Sequence, residues 1–189
     1  MIFVVAIIVA IGAFLASMNM KKAGRKQEAS ISLLVTVGAV AVAIFNVFTV
    51  IPAGSVGVVD FLGNVSDNTL KSGVNVVNPL ARIEKFSIKT QEIKEVMSVP
   101  SKEGLSVQLE ISLMYKLTPD KANEVYKRIG SNYREIILIP QFRSVVRGVT
   151  ARYEAKALYT ASREKLASEI INDLNGLVVP RGITIEEAP

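Results

Sequence analysis

Very little in this chain is equipped for covalent chemistry. It contains no cysteine and no histidine. Thiolate nucleophiles, disulfides, Cys-ligated metals, Ser-His-Asp triads and the usual zinc sets are therefore excluded. There is also no tryptophan on which a base could stack, no G-x-x-x-x-G-K-[ST] loop and no G-x-G-x-x-G turn. The remaining candidates for acid–base or nucleophilic work are Ser101 and Lys102 beside Gly104, and the carboxylates Glu92, Glu95 and Glu103. Ser101-Lys102-Glu103-Gly104 reads as a turn. The glutamates sit among Lys89, Lys94 and Lys102, the composition of a solvated mixed-charge edge. No catalytic residue, cofactor or metal ligand is assigned. Tyr115, Tyr126, Tyr133 and Tyr153 fall at core-like spacings and read as packing residues.

Two groups of charge suit topology or binding better than catalysis. Lys21, Lys22, Arg25 and Lys26 fall within six positions between two apolar runs. They read as a topology signal, with anionic-lipid binding worth about 1 kcal/mol per basic residue as an addition. Arg143, Arg147 and Arg152 fall on one predicted helix, and Arg163, Glu164 and Glu169 on the next. They read either as wet helix faces or as the two sides of a contact between subunits or with lipid headgroups.

The elements that position these residues divide sharply by composition. Of 189 residues, 50% are hydrophobic, with a mean hydropathy of +0.37 and a formal net charge of +5. Residues 1–20 and 31–51 carry no charge. About 20 residues of helix at 1.5 Å each cover a hydrocarbon core of roughly 30 Å, so both segments are predicted to span a membrane. A basic loop, 21–28, joins them. Gly38, Ala39, Ala41 and Ala43 would let the helices approach closely. Asn46 is either an inter-helix bond or a polar group satisfied at the interface. Basic residues follow the first run rather than precede it, which argues against a cleaved signal peptide. The positive-inside rule places the loop in the cytoplasm and everything after Ile51 on the opposite side. A hairpin dipping into one leaflet would reverse this. Most of the excess positive charge sits in the loop, so the pI of 9.5 gives no case for nucleic acid.

The rest is large enough for a domain with its own core. Gly54–Leu62 is a strand candidate, residues 63–68 are turn chemistry, and Arg82–Val96 reads as extended, with Ile83, Phe86, Ile88 and Ile93 toward the core. From Leu105 to Leu117 every odd position is apolar, the mark of a long half-buried strand. Thr118 and Pro119 open a helix that Gly130 stops. A second helix runs from Asn132 to about Glu154, kinked or divided in two at Pro140. A third begins near Thr160 or Ser162 with Leu166, Ile170, Leu174 and Leu177 on one side. Ile183–Ile185 starts a last strand that pairs back to the sheet. Strands followed by helices make the fold class α+β.

This order resembles the SPFH (band 7) superfamily of stomatins, prohibitins, flotillins and the bacterial HflK/HflC proteins. The similarity rests on the stretch Ile51-Pro52-Ala53-Gly54-Ser55-Val56-Gly57-Val58-Val59 at the membrane exit and on Leu70-Lys71-Ser72-Gly73-Val74-Asn75-Val76-Val77-Asn78-Pro79. It rests further on the strand Val107–Leu117, on Ala151-Arg152-Tyr153-Glu154-Ala155 with Leu158, Arg163 and Glu164, and on Arg181-Gly182-Ile183. Among members it looks most like the prohibitins. The resemblance implies an N-terminal transmembrane helical hairpin followed by an SPFH domain of two small α/β subdomains, 52–96 and 97–189. Family members continue into a long coiled-coil helix, here expected beyond 189. One N-terminal anchor is usual in prohibitins, whereas two are predicted here.

The function implied is a non-enzymatic, membrane-anchored scaffold in an inner or other internal membrane. Many copies, possibly with a homologous chain, would close into a ring or cage around a membrane patch and an FtsH-type AAA protease, with lipids as further partners. The alternative is a stomatin-like lipid-organising or channel-regulating protein. A membrane hydrolase, needing at minimum a Ser/Lys site, is the third reading.

Overall fold

The computed structural model describes residues 2–22, 25–159 and 163–188. Helices α1 (Ile2–Lys22) and α2 (Lys26–Phe45) lie side by side as an antiparallel pair. Their least exposed positions are Ala6, Ala10, Ala13 and Ser17 on α1 and Ala29, Ser32, Thr36, Ala39 and Ala43 on α2. Steps of three and four place each set on one face, and small side chains let the backbones approach. Ser32 Oγ donates to the Ala13 carbonyl across that seam at 2.6 Å. Gly38 and Ala41 are exposed, and a Cβ on Gly38 would meet nothing within 4 Å. The close packing expected of those two residues is made by the α1 alanines instead.

The second apolar run does not stay helical to Ile51. Asn46 ends α2, its side chain donating to the Val42 carbonyl at 2.8 Å. Phe48–Ile51 then forms strand β1, antiparallel to β4 (Gly73–Val76). Strand β2 (Ser55–Phe61) lies between β3 (Asn64–Leu70) and β5 (Arg82–Ser87) in a three-stranded antiparallel sheet. The turn expected over 63–68 is confined to Leu62 and Gly63, both at positive φ (52° and 90°), the conformation that matches hairpin twist. Asn64–Leu70 can be polar because β3 is an edge strand. Its Asp67 accepts Asn123 Nδ2 at the backbone carbonyl and Lys127 Nζ at the carboxylate.

A second antiparallel sheet has the order β6 (Gln91–Pro100), β7 (Ser106–Leu117), β8 (Ile183–Glu187). The extended stretch 82–96 is thus two strands, and β6 runs straight through the boundary expected between 96 and 97. The two sheets part at residues 88–90. On β7, Val107, Ile111, Leu113, Tyr115 and Leu117 are buried as the alternation predicts, Leu109 is half-buried and Leu105, just before the strand, is exposed.

Short helix α3 (Ala122–Arg128) follows a 3-10 turn at Pro119–Lys121 and stops at Gly130, whose φ is +99°. Thr118 sits at the expected start but makes no side-chain cap. Of the two outcomes expected at Pro140, division is the one found: the second helix is split in two just before it. Arg134–Leu138 forms a wide π turn and α4 (Ile139–Thr150) begins after it. A proline ring crowds the carbonyl four residues back, and a wider turn relieves that clash. Helix α4 ends before Glu154, in a turn where the Tyr153 carbonyl accepts the Lys102 N–H at 2.8 Å. Helix α5 (Arg163–Val178) buries Leu166, Ile170, Leu174 and Val178, while Leu177 faces outward. The start expected near Thr160 or Ser162 lies outside the described residues. One continuous core joins Val56, Val58 and Phe86 of the first sheet to Leu113 and Tyr115 of the second and to Phe142, Val146 and Ile170 of the helices.

Candidate membrane interface

The β1–β4 ribbon begins two residues after α2 ends. Its register pairs Phe48 with Val76 and Val50 with Val74, so these four side chains share one face. They are 49%, 71%, 61% and 70% exposed, respectively. The opposite face turns inward through Ile51, which is 1% exposed. A solvent-exposed sheet face composed only of Phe and Val is unusual for a soluble domain. Here it continues the surface of two helices that are themselves apolar and almost wholly uncovered. The Val77 N–H donates to the Val47 carbonyl at 2.8 Å, carrying the ladder back to the helix end. Lys85 Nζ donates to the Val50 carbonyl at 2.9 Å, tying the ribbon to β5. Sequence reading missed this ribbon because residues 31–51 form one apolar run. The available signal was Val74-Asn75-Val76, which alternates, together with the β-branched Val47, Thr49, Val50 and Ile51.

At the far end of the helix pair, Lys21 and Lys22 are exposed in the last turn of α1. Arg25 pairs with Glu28 at 3.4 Å. Lys26 is the first residue of α2, and its side chain lies outside the described residues.

Arg143 is held in its own chain by Glu95, through Nη2 at 2.7 Å and Nε at 2.9 Å. Arg152 reaches Asp173 at 3.4 Å and Glu169 at 3.9 Å. Glu169 also accepts the Tyr153 hydroxyl at 2.7 Å. The charges of α4 and α5 therefore do meet, but within one molecule. Arg147 and Glu164 are exposed, with no ion pair among the described residues, and Arg163 begins α5 with its side chain outside the described residues.

The groups that could have done chemistry are occupied structurally. Ser101 Oγ donates to Glu103 and accepts the Leu105 N–H. Glu103 also accepts the Ala155 N–H at 2.9 Å, and these bonds hold its carboxyl below the usual glutamate range. Glu92 accepts Ser112 and pairs with Lys94. Burial pushes the Tyr115 and Tyr133 phenols up, so neither ionises near neutral pH. Tyr126 donates to Asp60 at 3.2 Å and fastens α3 to the first sheet. Among the described residues no group of three Asp or Glu side chains could hold a metal.

A pair of apolar helices feeding an amphipathic ribbon on an α+β body defines a membrane-associated domain. Residues 49–188 match the SPFH domain / Band 7 family, and the chain belongs to that family. It is 23% identical to Prohibitin-1 of Colletotrichum higginsianum over 129 residues, 68% of this chain and 46% of that protein. It is 24% identical to Prohibitin 1 of Drosophila melanogaster over 116 residues, 61% of this chain and 42% of that one. The chain thus spans less than half the length of these curated relatives. The family to which the chain belongs consists of scaffold proteins rather than enzymes.

Proposed function

We propose that this protein is a membrane-anchored scaffold whose copies close into a ring or cage over a membrane patch and an FtsH-type AAA protease. The observation that supports it most is the exposed Phe48/Val50/Val74/Val76 face, which continues the apolar surface of α2. Placed in the headgroup layer, that face would hold each domain against the bilayer in one orientation. Lys21, Lys22 and Arg25 at the helical tip favour the cytoplasm, which puts the N-terminus and the SPFH domain together on the non-cytoplasmic side. The two sheets, parted at 88–90, would act as the two subdomains. Of the charges expected at the joint between copies, Arg143, Arg152 and Glu169 have partners in their own chain. Arg147 on α4 is the one we retain.

Solubilisation in mild detergent, followed by mass measurement of the complex, tests this reading. A large closed assembly carrying a stoichiometric AAA protease is expected. A large assembly enriched only in lipid would favour the stomatin-like alternative. Monomers or dimers at physiological salt would defeat both. Orientation is tested separately with cysteines placed at Ser66 and Gln27 of this Cys-free chain. Labelling of position 66 but not 27 from outside intact cells is expected.

A further inference from the structure

Among the described residues Leu62 is the one non-glycine at positive φ, and it is 84% exposed. Hairpin tips of this shape ordinarily carry Asn, Asp or Gly, and a bulky side chain there is strained. Water gives an exposed leucine nothing to offset that cost. Asp60 pairs with Arg82 at the end of the β2–β5 ladder, and Leu62 and Leu80 both lie two residues beyond that pair. Leu80 is 47% exposed, and Phe61 beside the tip is also exposed. Contacts at both ends of β2 place this tip. Ile51 Cδ1 lies against Gly57, where an added Cβ would meet it at 2.8 Å, and Lys85, opposite Gly57, donates to the Val50 carbonyl. At the other end one turn, closed by the Ala81 N–H on the Asn78 carbonyl, carries the chain from Val77 to Arg82, and Val77 is bonded to Val47 beside the helix end. Strand β2 therefore runs back along β1 toward the helices. Gly57 to Leu62 covers about 17 Å of strand, whereas Ile51 to Phe48 covers about 10 Å. The tip thus reaches past Phe48 to the level of the last turn of α2.

Both turns have backbone donors that are already satisfied. The Gly63 N–H donates to Asp60 Oδ1 at 2.8 Å, and the Leu80 N–H to Asn78 Oδ1 at 3.0 Å. Donors closed in this way need not be stripped of water when an apolar medium surrounds them. We propose that the Phe61–Leu62 tip, with Leu80, enters the same lipid leaflet as the β1–β4 ribbon, leaving Asp60 and Arg82 at the ladder end among the headgroups. This contact presupposes the ribbon's place in lipid, and it lies to one side of the helix axis. Helices and ribbon make one continuous strip, about which the whole molecule can tip. A second apolar point beside the strip stops the tipping and sets one face of the domain against the bilayer.

The test uses the full chain reconstituted in phosphatidylcholine–phosphatidylglycerol vesicles with brominated acyl chains. Tryptophan is placed singly at Leu62, Leu80, Val76 or Gln108, the last on the exposed face of β7 and setting the unquenched level. Leu62→Trp and Leu80→Trp should each emit at shorter wavelength and be quenched at least half as strongly as Val76→Trp. Because tryptophan is itself drawn to interfaces, the native leucine is tested by adding Leu62→Asp. Aspartate tolerates the left-handed backbone better than leucine, so this variant should keep its melting curve. It should cut the quenching of Leu80→Trp at least twofold and leave that of Val76→Trp unchanged. Quenching of Val76→Trp with none of Leu62→Trp would overturn the tip contact and leave the ribbon in lipid. Quenching at neither position would overturn both. A shift of Leu62→Trp to shorter wavelength without quenching would make the tip a contact between copies instead, and quenching of Leu80→Trp indifferent to Leu62→Asp would likewise defeat the proposal.

Discussion

A single tryptophan at Val76 would report whether the ribbon lies in lipid. The chain has no tryptophan, so Val76→Trp is the sole emitter of its kind. Complete burial of a Val or Phe side chain is worth about 1.5–3 kcal/mol. Phe48, Val50, Val74 and Val76 keep between half and three-quarters of their area exposed. Entry of the whole face into lipid is therefore worth on the order of 4–6 kcal/mol, enough to make the inserted state dominant by about a thousandfold. In vesicles containing brominated lipid, Val76→Trp should emit at shorter wavelength and be quenched. Gln108→Trp, on the exposed face of β7, should do neither. Adding Val50→Asp and Val74→Asp removes one cross-strand pair and sets two carboxylates in the face. At mid-bilayer a carboxylate costs about 2.5–3.5 kcal/mol, an upper bound at the interface, so two offset the gain. Quenching should then fall to the Gln108→Trp level. Quenching unchanged by the aspartates, or absent from Val76→Trp alone, would refute the placement of the ribbon.

Three further outcomes are expected. Leu113, fully buried at the centre of β7, should cost about 3–5 kcal/mol on truncation to alanine, whereas Gln108→Ala should change stability by less than about 0.5 kcal/mol in the same denaturation assay. Glu103 has a depressed carboxyl pKa from its bonds to the Ala155 N–H and Ser101. Its contribution should be complete above the unfolded value of about 4.3 and fade as pH falls through the lower folded value, so melting curves of Glu103→Gln and the parent should differ at pH 7 and converge in acid. Arg147→Glu should leave the melting curve in place, yet shift the solubilised complex to smaller species by light scattering. An unchanged mass would reduce Arg147 to a wet surface residue.

Period-two and period-three-to-four patterns were legible wherever one face of an element meets the core and the other meets water. The odd positions from Val107 to Leu117 and the stripe Phe142, Val146, Val149 stand out against polar neighbours for that reason. The pattern fails where both faces are apolar or both polar. The run from Ile31 to Ile51 holds a helix and a strand with no change in polarity, because the strand's outer face is as apolar as the helix. Asn64–Leu70 failed in the opposite sense, since an edge strand can be mostly polar, here with only Val65 and Leu70 apolar, and still pair. Leu177 and Val178 show a third limit, in which neighbouring apolar residues at a helix end cannot be ordered by period alone. The charged candidates were legible as charges but not as pairs. That Arg143 meets Glu95 depends on α4 lying against β6, which no local spacing encodes.

The junction between α2 and β1 also has a mechanical consequence. Only Asn46 and Val47 separate the helix from the strand, and Val47 is itself held by the Val77 N–H. A body joined through so short and so bonded a neck transmits torque instead of swivelling. If one helix pair follows the local membrane normal, its domain must tilt with it. Neighbouring domains packed around a circle would then impose a fixed cone angle on their helices. Such an array would act on the curvature of the sheet of lipid inside it, and a flatter or more domed membrane would in turn strain the circle. Shape, rather than any bound small molecule, would be the variable to which the assembly responds.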